Sequence, residues 1–266
     1  MRVVGVGWRQ ELAAWAESSG LGVQCLELTA EHFFGKHQLQ EKFKGLGKKT
    51  PLYLHGLGLS LGTPGKLDEA TLKNFAGVSK EVNPEWVSEH ISFTRTDEID
   101  LGHLNPVQPT REMLEVFKEH VHELRTRCGK PVILENISSH LKLPGEMSET
   151  VFLNQLCETS DCGLLLDATN LFINAKNHQF DAQVWVKELD AQRIVQLHAV
   201  GYSVEDGIYQ DHHSVALQDD LLELIAFICE RAPVKAITLE WDSHFPSEDV
   251  LNGEIRKLKL AAGLKP

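Results

Sequence analysis

The sequence predicts an α/β protein with a single (β/α)8 barrel, a TIM barrel, as one catalytic domain over residues 1–266. Eight short apolar or β-branched runs alternate with eight longer segments whose apolar residues recur at helical spacing. No Pro/Gly-rich linker interrupts this alternation. A doubly wound open sheet is the alternative, but it favours a Gly-rich phosphate-binding turn after the first strand. The chain has Gly5, Gly7 and Trp8 there, which do not form that motif.

The predicted elements follow one another along the whole chain. Strands are expected at residues 3–6, 23–28, 52–54, 86–87, 132–134, 164–166, 194–197 and 236–239. Helices are expected at residues 10–17, 38–44, 67–80, 111–127, 148–158, 181–188, 218–231 and 247–262. In the fourth helix, Met113, Phe117 and Val121 fall on one face. Thr110 and Ser148 directly precede predicted helices and are expected to be N-caps.

The composition is typical of a soluble globular protein with an acidic balance. There are 26 Lys and Arg against 38 Asp and Glu, giving a net charge of −12, and 42% of the residues are hydrophobic. No nucleic-acid partner is expected, because phosphate binding needs a basic surface. No membrane association is expected either, since no apolar run has the roughly 20 residues of a membrane span. The five cysteines lack a CxxC spacing, which favours reduced, buried thiols in a cytoplasmic protein.

Metal-ligand side chains stand at the ends of six successive predicted strands. These residues are His55, His90, Glu135, Asp167, His198 and Glu240. The carboxyl ends of barrel strands converge on one rim, where barrel enzymes place their chemistry. Carboxylates brought together there repel one another, and bound cations relieve that repulsion. Imidazole and carboxylate ligands without thiolate suit iron, manganese or zinc. The sequence therefore predicts two or more ions, bridged by Glu135 or Glu240.

A second cluster follows the seventh strand, in a segment expected to be a loop. Asp211 and His213 are two residues apart, so their side chains point the same way if the segment is extended, and His212 points elsewhere. A metal site and an ordinary hydrogen-bonded pair both remain open for these two residues. Taken singly, each strand-end histidine could be a paired core residue, and Asp167 could be a helix cap. Among the remaining histidines, His120 and His122 are expected on an exposed acidic helix face.

Several motifs occur together in one order and resemble a known family. They are GVGWR, LHGLGLSLG, VSEH, LENISS, LLDATN, LHAVGY, the DxH at Asp211–His213, and TLEWD. In this combination the chain resembles the multinuclear non-haem iron-dependent oxidases, a family formerly catalogued as a domain of unknown function. Its members include the methanobactin and thiaglutamate biosynthesis enzymes, and it is similar to the xylose isomerase-like barrels. The resemblance extends from Gly5 to Asp242.

The resemblance implies a cofactor and a substrate class. The cofactor would be two or three Fe ions (Fe2+/Fe3+), with O2 as co-substrate. The reaction would modify a cysteine of a ribosomally synthesised precursor peptide in natural product biosynthesis. Known types include removal of the β-carbon of a C-terminal cysteine and formation of an oxazolone–thioamide pair. A small partner protein that presents the peptide is also implied.

The resemblance also implies roles for individual residues. One iron would be held by His55, His90 and Glu135. The other metal ligands implied are Asp167, His198 and Glu240 for a second iron, which Glu135 could share, and Asn170, Asp211 and His213 around a third position. Asp242 and Glu135 are the implied catalytic residues, with Asp242 as a base on the substrate side. The chain departs from relatives at His212 and in the segment HLNPVQPT, which leaves the third metal position and the substrate loop open.

Two other function classes fit part of the pattern. A divalent-metal hydrolase or isomerase of the xylose isomerase-like class would use nearly the same ligands. A sugar isomerase is expected to have a lysine beside the metals, however, and no predicted strand ends in one. A metal-binding or peptide-carrier protein without catalytic activity is the third class, although an open rim with many ligands is typical of an enzyme.

Overall fold

The computed structural model describes residues 2–18, 22–96 and 99–265. Twelve strands occur in these residues: β1 (Val3–Gly7), β2 (Leu26–Thr29), β3 (Leu52–His55), β4 (Val87–His90), β5 (Ser92–Arg95), β6 (Asp100–Pro106), β7 (Val132–Glu135), β8 (Gly163–Asp167), β9 (Ile194–Ala199), β10 (Gly201–Glu205), β11 (Ile208–Val215) and β12 (Ala236–Leu239). Eight of them form a closed barrel in the order β1-β12-β9-β8-β7-β4-β3-β2. This order confirms the predicted barrel and excludes the open sheet.

The register of the parallel strands sets the positions of the predicted ligands and places His90 opposite Glu135. Strand β4 pairs with β7 from Val87 opposite Val132 to His90 opposite Glu135. Strand β12 pairs with β9, and Thr238 lies opposite His198. Every residue of β2, β3, β4 and β7 is buried, as expected for strands covered on both faces. The ligand side chains at these strand ends are therefore shielded from water.

Nine α-helices occur in the described residues: α1 (Ala13–Ala16), α2 (His37–Leu46), α3 (Glu69–Val82), α4 (Arg111–Cys128), α5 (Glu149–Ser160), α6 (Ala168–His178), α7 (Ala182–Glu188), α8 (Asp219–Arg231) and α9 (Glu248–Ala261). The hydroxyls of Thr110 and Ser148 accept hydrogen bonds from the N–H groups of Met113 and Val151. Both predicted N-caps are thus confirmed. Helix α6 was not predicted, because it begins directly after β8 without a separating loop.

Several helices end on a residue in the left-handed conformation. Helix α4 ends at Gly129 (φ 67°), which tolerates this backbone because it has no Cβ. Helices α3, α5 and α6 end instead at Asn83 (φ 53°), Asp161 (φ 48°) and Gln179 (φ 58°). A side chain on such a residue crowds the backbone and costs about 1–2 kcal/mol.

The chain divides into two compact units. Unit 1 comprises Met1–Glu27 and Leu165–Pro266, and unit 2 comprises Leu28–Leu164. The core of unit 2 contains fully buried aromatic side chains, including Phe75 and Phe117. In unit 1, Leu221 and Ile225 on one face of α8 are fully buried. The expectation of a single domain remains a prediction.

Each unit contains a two-stranded antiparallel hairpin outside the barrel. In unit 2, β5 pairs with β6, so the segment HLNPVQPT begins in a strand. In unit 1, β10 pairs with β11, which contains Asp211 and His213. The predicted loop after the seventh barrel strand is therefore wrong, because cross-strand hydrogen bonds make this segment a hairpin. His213 has a positive φ of 48°, so the strand is distorted there.

Three further expectations can be compared with the structure. The prediction of buried thiols is confirmed, since all five cysteines are buried and none forms a disulfide. His120 was expected to be exposed but is 3% exposed, because its ring lies within 2.9 Å of the carbonyl oxygens of Leu61 and Gly65. Within the described residues, no helix combines the length and apolar character needed to cross a membrane.

Candidate metal centre

The first group of ligand-type side chains lies in unit 2. His55, His90 and Glu135 each close a barrel strand, and each is at most 6% exposed. The Nε2 atoms of His55 and His90 lie 3.2 Å and 3.3 Å from the same carboxylate atom, Oε2 of Glu135. The two rings meet edge to face, with centroids 4.6 Å apart. Two imidazole nitrogens and one carboxylate oxygen thus point at one another.

A hydroxyl group sets the orientation of the His55 ring. The Ser88 Oγ lies 2.8 Å from Nδ1 of His55 and donates to the Leu54 carbonyl oxygen at 3.4 Å. Because that hydroxyl hydrogen is used, Oγ accepts the N–H of Nδ1. The lone pair of His55 is then on Nε2, facing Glu135. This is the tautomer that a metal ligand needs.

Glu89 positions both His90 and the loop after β3. It is 1% exposed, and its two oxygens accept hydrogen bonds from the backbone N–H groups of Leu59 (2.7 Å) and His90 (2.6 Å). Its Oε2 also lies 3.6 Å from Nδ1 of His90. Glu89 was missed from the sequence, since it is the residue before a strand-end histidine in VSEH. The available signal was the presence of a carboxylate within a strand that is otherwise buried.

Glu31 fixes the backbone of the same loop. Its Oε1 accepts from the N–H groups of Leu57 and Gly58, both at 2.9 Å. Burial of the side chain, followed by the charge of Glu89, raises the pKa of Glu31, and those N–H groups oppose the shift. A buried carboxyl group with a raised pKa is a candidate for holding a proton.

The second group lies in unit 1. Asp167, His198 and Glu240 each offer one ligand atom, and these atoms lie within 4.8 Å of one another. Nδ1 of His198 is 3.1 Å from Oε2 of Glu240. Asp167 also caps α6, because its Oδ1 accepts the backbone N–H of Asn170 at 2.7 Å. Asp167 is therefore a helix cap as well as a candidate ligand.

A buried carboxylate that the sequence did not reveal contacts His198. Oε1 of Glu27 lies 2.6 Å from Nε2 of His198, and Glu27 is 3% exposed. Its Oε2 accepts from the Gln196 side-chain amide at 2.5 Å. Glu27 was missed because it lies inside the β2 run LELT, where the alternation of a strand does not mark a site.

The third group is also in unit 1 and includes the hairpin. Nδ1 of His213 lies 3.1 Å from Oδ2 of Asp242 and 3.7 Å from Oε2 of Glu240, and its Nε2 lies 2.8 Å from Oδ2 of Asp211. His212 instead faces Glu205 and is exposed, as predicted from the spacing. Glu240 belongs to both the second and the third groups.

Three carboxylates surround His213 in the third group, and Arg9 lies against two of them. Burial lowers the pKa of His213, but the charge of Glu240 and the contacts with Asp211 and Asp242 outweigh it and raise the pKa to about 12. The Arg9 guanidinium lies 2.5 Å from Oδ1 of Asp242 and 4.0 Å from Glu240. Arg9 was not predicted as a site residue, although it closes the motif GVGWR.

The donor atoms of the three groups suit a hard or borderline metal ion. They are imidazole nitrogens and carboxylate oxygens, and the five thiols of the chain lie outside these groups. Such a donor set fits iron, manganese or zinc. Asn170 is 6% exposed in the first turn of α6, and its assignment as a ligand remains a prediction.

Comparisons with known proteins agree with this site. Residues 3–262 match the model of the RiPP precursor modification enzymes MbnB/TglH/ChrH, where RiPP denotes a ribosomally synthesised and post-translationally modified peptide. The chain belongs to this family. A UPF0276 protein of Chromobacterium violaceum is 30% identical over 262 residues, covering 98% of this chain and 95% of the relative. The predicted membership is confirmed, and MbnB/TglH/ChrH enzymes act on precursor peptides.

Solved structures confirm the xylose isomerase-like barrel of this MbnB/TglH/ChrH enzyme. The 3-keto-D-glucoside 4-epimerase of E. coli superimposes with a TM-score of 0.59 at 11% identity, covering 99% of this chain and 100% of the epimerase. A xylose isomerase domain protein of Planctomyces limnophilus gives a TM-score of 0.57 at 12% identity, covering 99% and 94%. These similarities establish the fold alone.

Proposed function

We propose that this chain is an iron- and dioxygen-dependent oxidase that modifies a cysteine residue of a ribosomally synthesised precursor peptide. The observation that supports this most is the convergence of buried imidazole and carboxylate groups at strand ends. It occurs in a chain that belongs to a family of precursor-peptide modification enzymes. The action of this family on precursor peptides favours a peptide modification over the hydrolase or isomerase alternative.

The residues of each group would hold the ions. His55, His90 and Glu135 provide two nitrogens and one oxygen for one iron. A second set consists of Asp167, His198 and Glu240, which are within reach of one ion. When bound, iron supplies the one-electron chemistry and the activation of O2 that these side chains lack. Sharing by Glu135, and the ligand roles of Asn170, Asp211 and His213 at a third position, remain part of the proposal.

Glu240 is one of the two candidate bridging residues. Its Oε2 lies 3.1 Å from Nδ1 of His198 and 3.7 Å from Nδ1 of His213. One carboxylate therefore faces a histidine of the second group and a histidine of the third group. A carboxylate has two oxygens and can neutralise two neighbouring cations, which favours a bridge at this position.

Asp242 is proposed to act on the substrate as a base. Its side chain is 37% exposed, whereas that of Glu240 is 8% exposed, so Asp242 faces the accessible side of the group. Arg9 and His213 hold its two oxygens in place. We propose that Asp242 accepts the proton of the peptide thiol, and that Arg9 keeps the carboxylate oriented for this transfer.

The proposal is tested by metal content and by turnover on the same preparation. The protein is expressed with added iron, purified without air and subjected to elemental analysis. Two or more irons per chain, with O2-dependent mass change of a cysteine peptide encoded near the gene, would support the oxidase. Stoichiometric zinc or manganese with little iron would favour the hydrolase or isomerase instead. A matched peptide with serine in place of cysteine is the control substrate.

The resemblance also motivates the remaining parts of the proposal. We propose a small protein that presents the precursor peptide as a partner, and a cytoplasmic location. Co-purification of the enzyme with the product of an adjacent gene would test the partner. Full turnover of the purified enzyme on the free peptide, unchanged by that gene product, would contradict it.

A further inference from the structure

The inference concerns Glu27, which lies outside the metal-ligand sets proposed above, and it rests on the proposed metal centre. His198 is fully buried between two carboxylates. Its Nε2 lies 2.6 Å from Oε1 of Glu27, and its Nδ1 lies 3.1 Å from Oε2 of Glu240. Only one of these carboxylates, Glu240, belongs to a group of ligand atoms that can surround an ion. The two nitrogen atoms of the ring therefore face different environments: Nδ1 faces the ligand group and Nε2 faces Glu27.

Glu27 is itself held in one orientation. The amide nitrogen of Gln196 donates both to Oε2 of Glu27 at 2.5 Å and to the Thr238 hydroxyl at 2.9 Å. Gln196 and Thr238 are buried at 0% and 1% exposure. A buried carboxylate is unfavourable unless its oxygens accept hydrogen bonds. The Gln196 amide satisfies one oxygen, and the other is left directed at the His198 ring.

We propose that Glu27 is a positioning residue that fixes His198 as the Nε2–H tautomer and thereby directs the lone pair of Nδ1 toward the metal ion. Each ring nitrogen of His198 faces a carboxylate, which can only accept a hydrogen. The contact of Nε2 with Glu27 (2.6 Å) is closer than the contact of Nδ1 with Glu240 (3.1 Å), so the hydrogen is assigned to Nε2. Nδ1 then faces Glu240 as an acceptor, as a ligand atom must. His198 is thus assigned as an Nδ1 ligand, whereas His55 is oriented for ligation through Nε2.

Glu27 has a second consequence for the ion. A carboxylate that accepts the N–H of a ligating histidine makes the imidazole a stronger donor, and removal of such a partner lowers metal affinity roughly 10- to 100-fold. Glu27 also adds a buried negative charge behind the ligand. This charge favours the more highly charged state of the bound ion.

The first test measures the tautomer and needs no enzyme activity. Metal-free protein with 15N-labelled histidine rings is studied by two-bond 15N–1H correlation, and the His198 signals are assigned with a His198→Gln variant. The pattern of an Nε2–H tautomer is expected. A His198 ring with its hydrogen on Nδ1 in the wild type would overturn the inference, whatever the behaviour of any variant.

The second test measures Fe2+ affinity without air by competition with a chelator. Glu27→Gln removes the charge at nearly constant volume and should weaken binding of one ion about 10- to 100-fold. Gln196→Met keeps the charge of Glu27 but removes the amide that orients its carboxylate, so a smaller loss of Fe2+ affinity is expected. The matched control is Glu254→Gln, because Glu254 is also 3% exposed but accepts from Leu217 and Lys257. It should retain wild-type affinity.

The outcomes separate this inference from the proposed function. Wild-type affinity in folded Glu27→Gln protein would overturn the positioning role and leave the oxidase proposal intact. A wild type that binds no Fe2+ would overturn both. A wild type that binds iron but leaves cysteine peptides unchanged would overturn only the oxidase, because the tautomer and the affinity do not depend on the substrate.

Discussion

Glu135 presents one oxygen atom to two imidazoles, and this arrangement makes it the residue on which the first group depends. Both Nε2 atoms lie within 3.3 Å of that oxygen. A neutral amide in its place offers no charge to a cation. We therefore expect Glu135→Gln to lose the ion of this group and turnover together, with a fall in metal affinity of more than about 100-fold, since even an outer partner contributes roughly 10- to 100-fold.

This loss is measured by elemental analysis and by peptide turnover on the same sample. Glu254→Gln again provides the control for exchanging a buried carboxylate for an amide. A Glu135→Gln protein that contains the wild-type amount of metal and remains fully active would contradict the ligand role.

The cysteines should be chemically inert in the folded protein. Burial raises the pKa of Cys128 and of Cys229 to about 11. The thiolate is the reactive form, so at about pH 8 only about one such thiol in a thousand is ionised. We expect slow modification by a thiol reagent in native buffer and rapid modification of all five thiols in denaturant. Rapid stoichiometric labelling of the native protein would contradict the burial.

The sequence predicted the ligand residues because their types and positions coincide. His55, His90 and Glu135 each follow an apolar run, which is visible without coordinates. Glu27 and Glu89 also lie next to ligands, but their importance comes from contacts with residues distant in sequence. Strand periodicity cannot predict such pairs. It indicates which face of a strand a residue lies on, but not which distant residue that side chain contacts.

At the scale of elements, the hairpin β10–β11 supports the third group. Gly201 lies where β10 begins, and a Cβ there would overlap the carbonyl oxygen of Ala216. Since backbone cannot move aside as a side chain can, Gly201→Ala should destabilise the protein by about 1–3 kcal/mol. The displaced strand contains His213, so binding at the third group should weaken as well.

Urea unfolding and metal titration measure these two effects. Gly253→Ala is a matched substitution in α9, where an added Cβ meets no atom within 4 Å. It should raise stability by up to about 1 kcal/mol, because alanine favours a helix more than glycine does. Equal stability of the two variants would show that the hairpin tolerates the displacement.

The elements that the sequence missed share a physical cause. Helix α6 begins at Ala168, immediately after β8, and Asp167 serves both as a strand end and as the cap. The hairpin strands β6 and β11 are partly exposed and rich in polar residues. Neither case shows the apolar run that identified the eight barrel strands. Such a run occurs where a strand is buried within the barrel.

At the scale of the whole molecule, the net charge of −12 affects association. A protein with this charge attracts basic partners at long range, and salt screens that attraction. We expect binding of the precursor peptide, or of the protein that presents it, to weaken several-fold as salt rises from about 0.05 to about 0.5 M. Isothermal titration at both ionic strengths measures this, and an unchanged dissociation constant would contradict an electrostatic contribution.

The left-handed residue that ends α6 offers a route to a more tolerant laboratory scaffold. Gln179 is exposed and keeps a φ of 58°. Glycine at this position removes the contact between Cβ and the backbone, although glycine loses more conformational entropy on folding. The free energy of unfolding should therefore rise by a few tenths to about 1 kcal/mol in Gln179→Gly. Ligand variants that remove buried charge partners are often too unstable to purify. Ligand variants made in the Gln179→Gly protein would have a higher free energy of unfolding, gained at a residue outside the metal-ligand groups. Directed evolution could begin from the same protein.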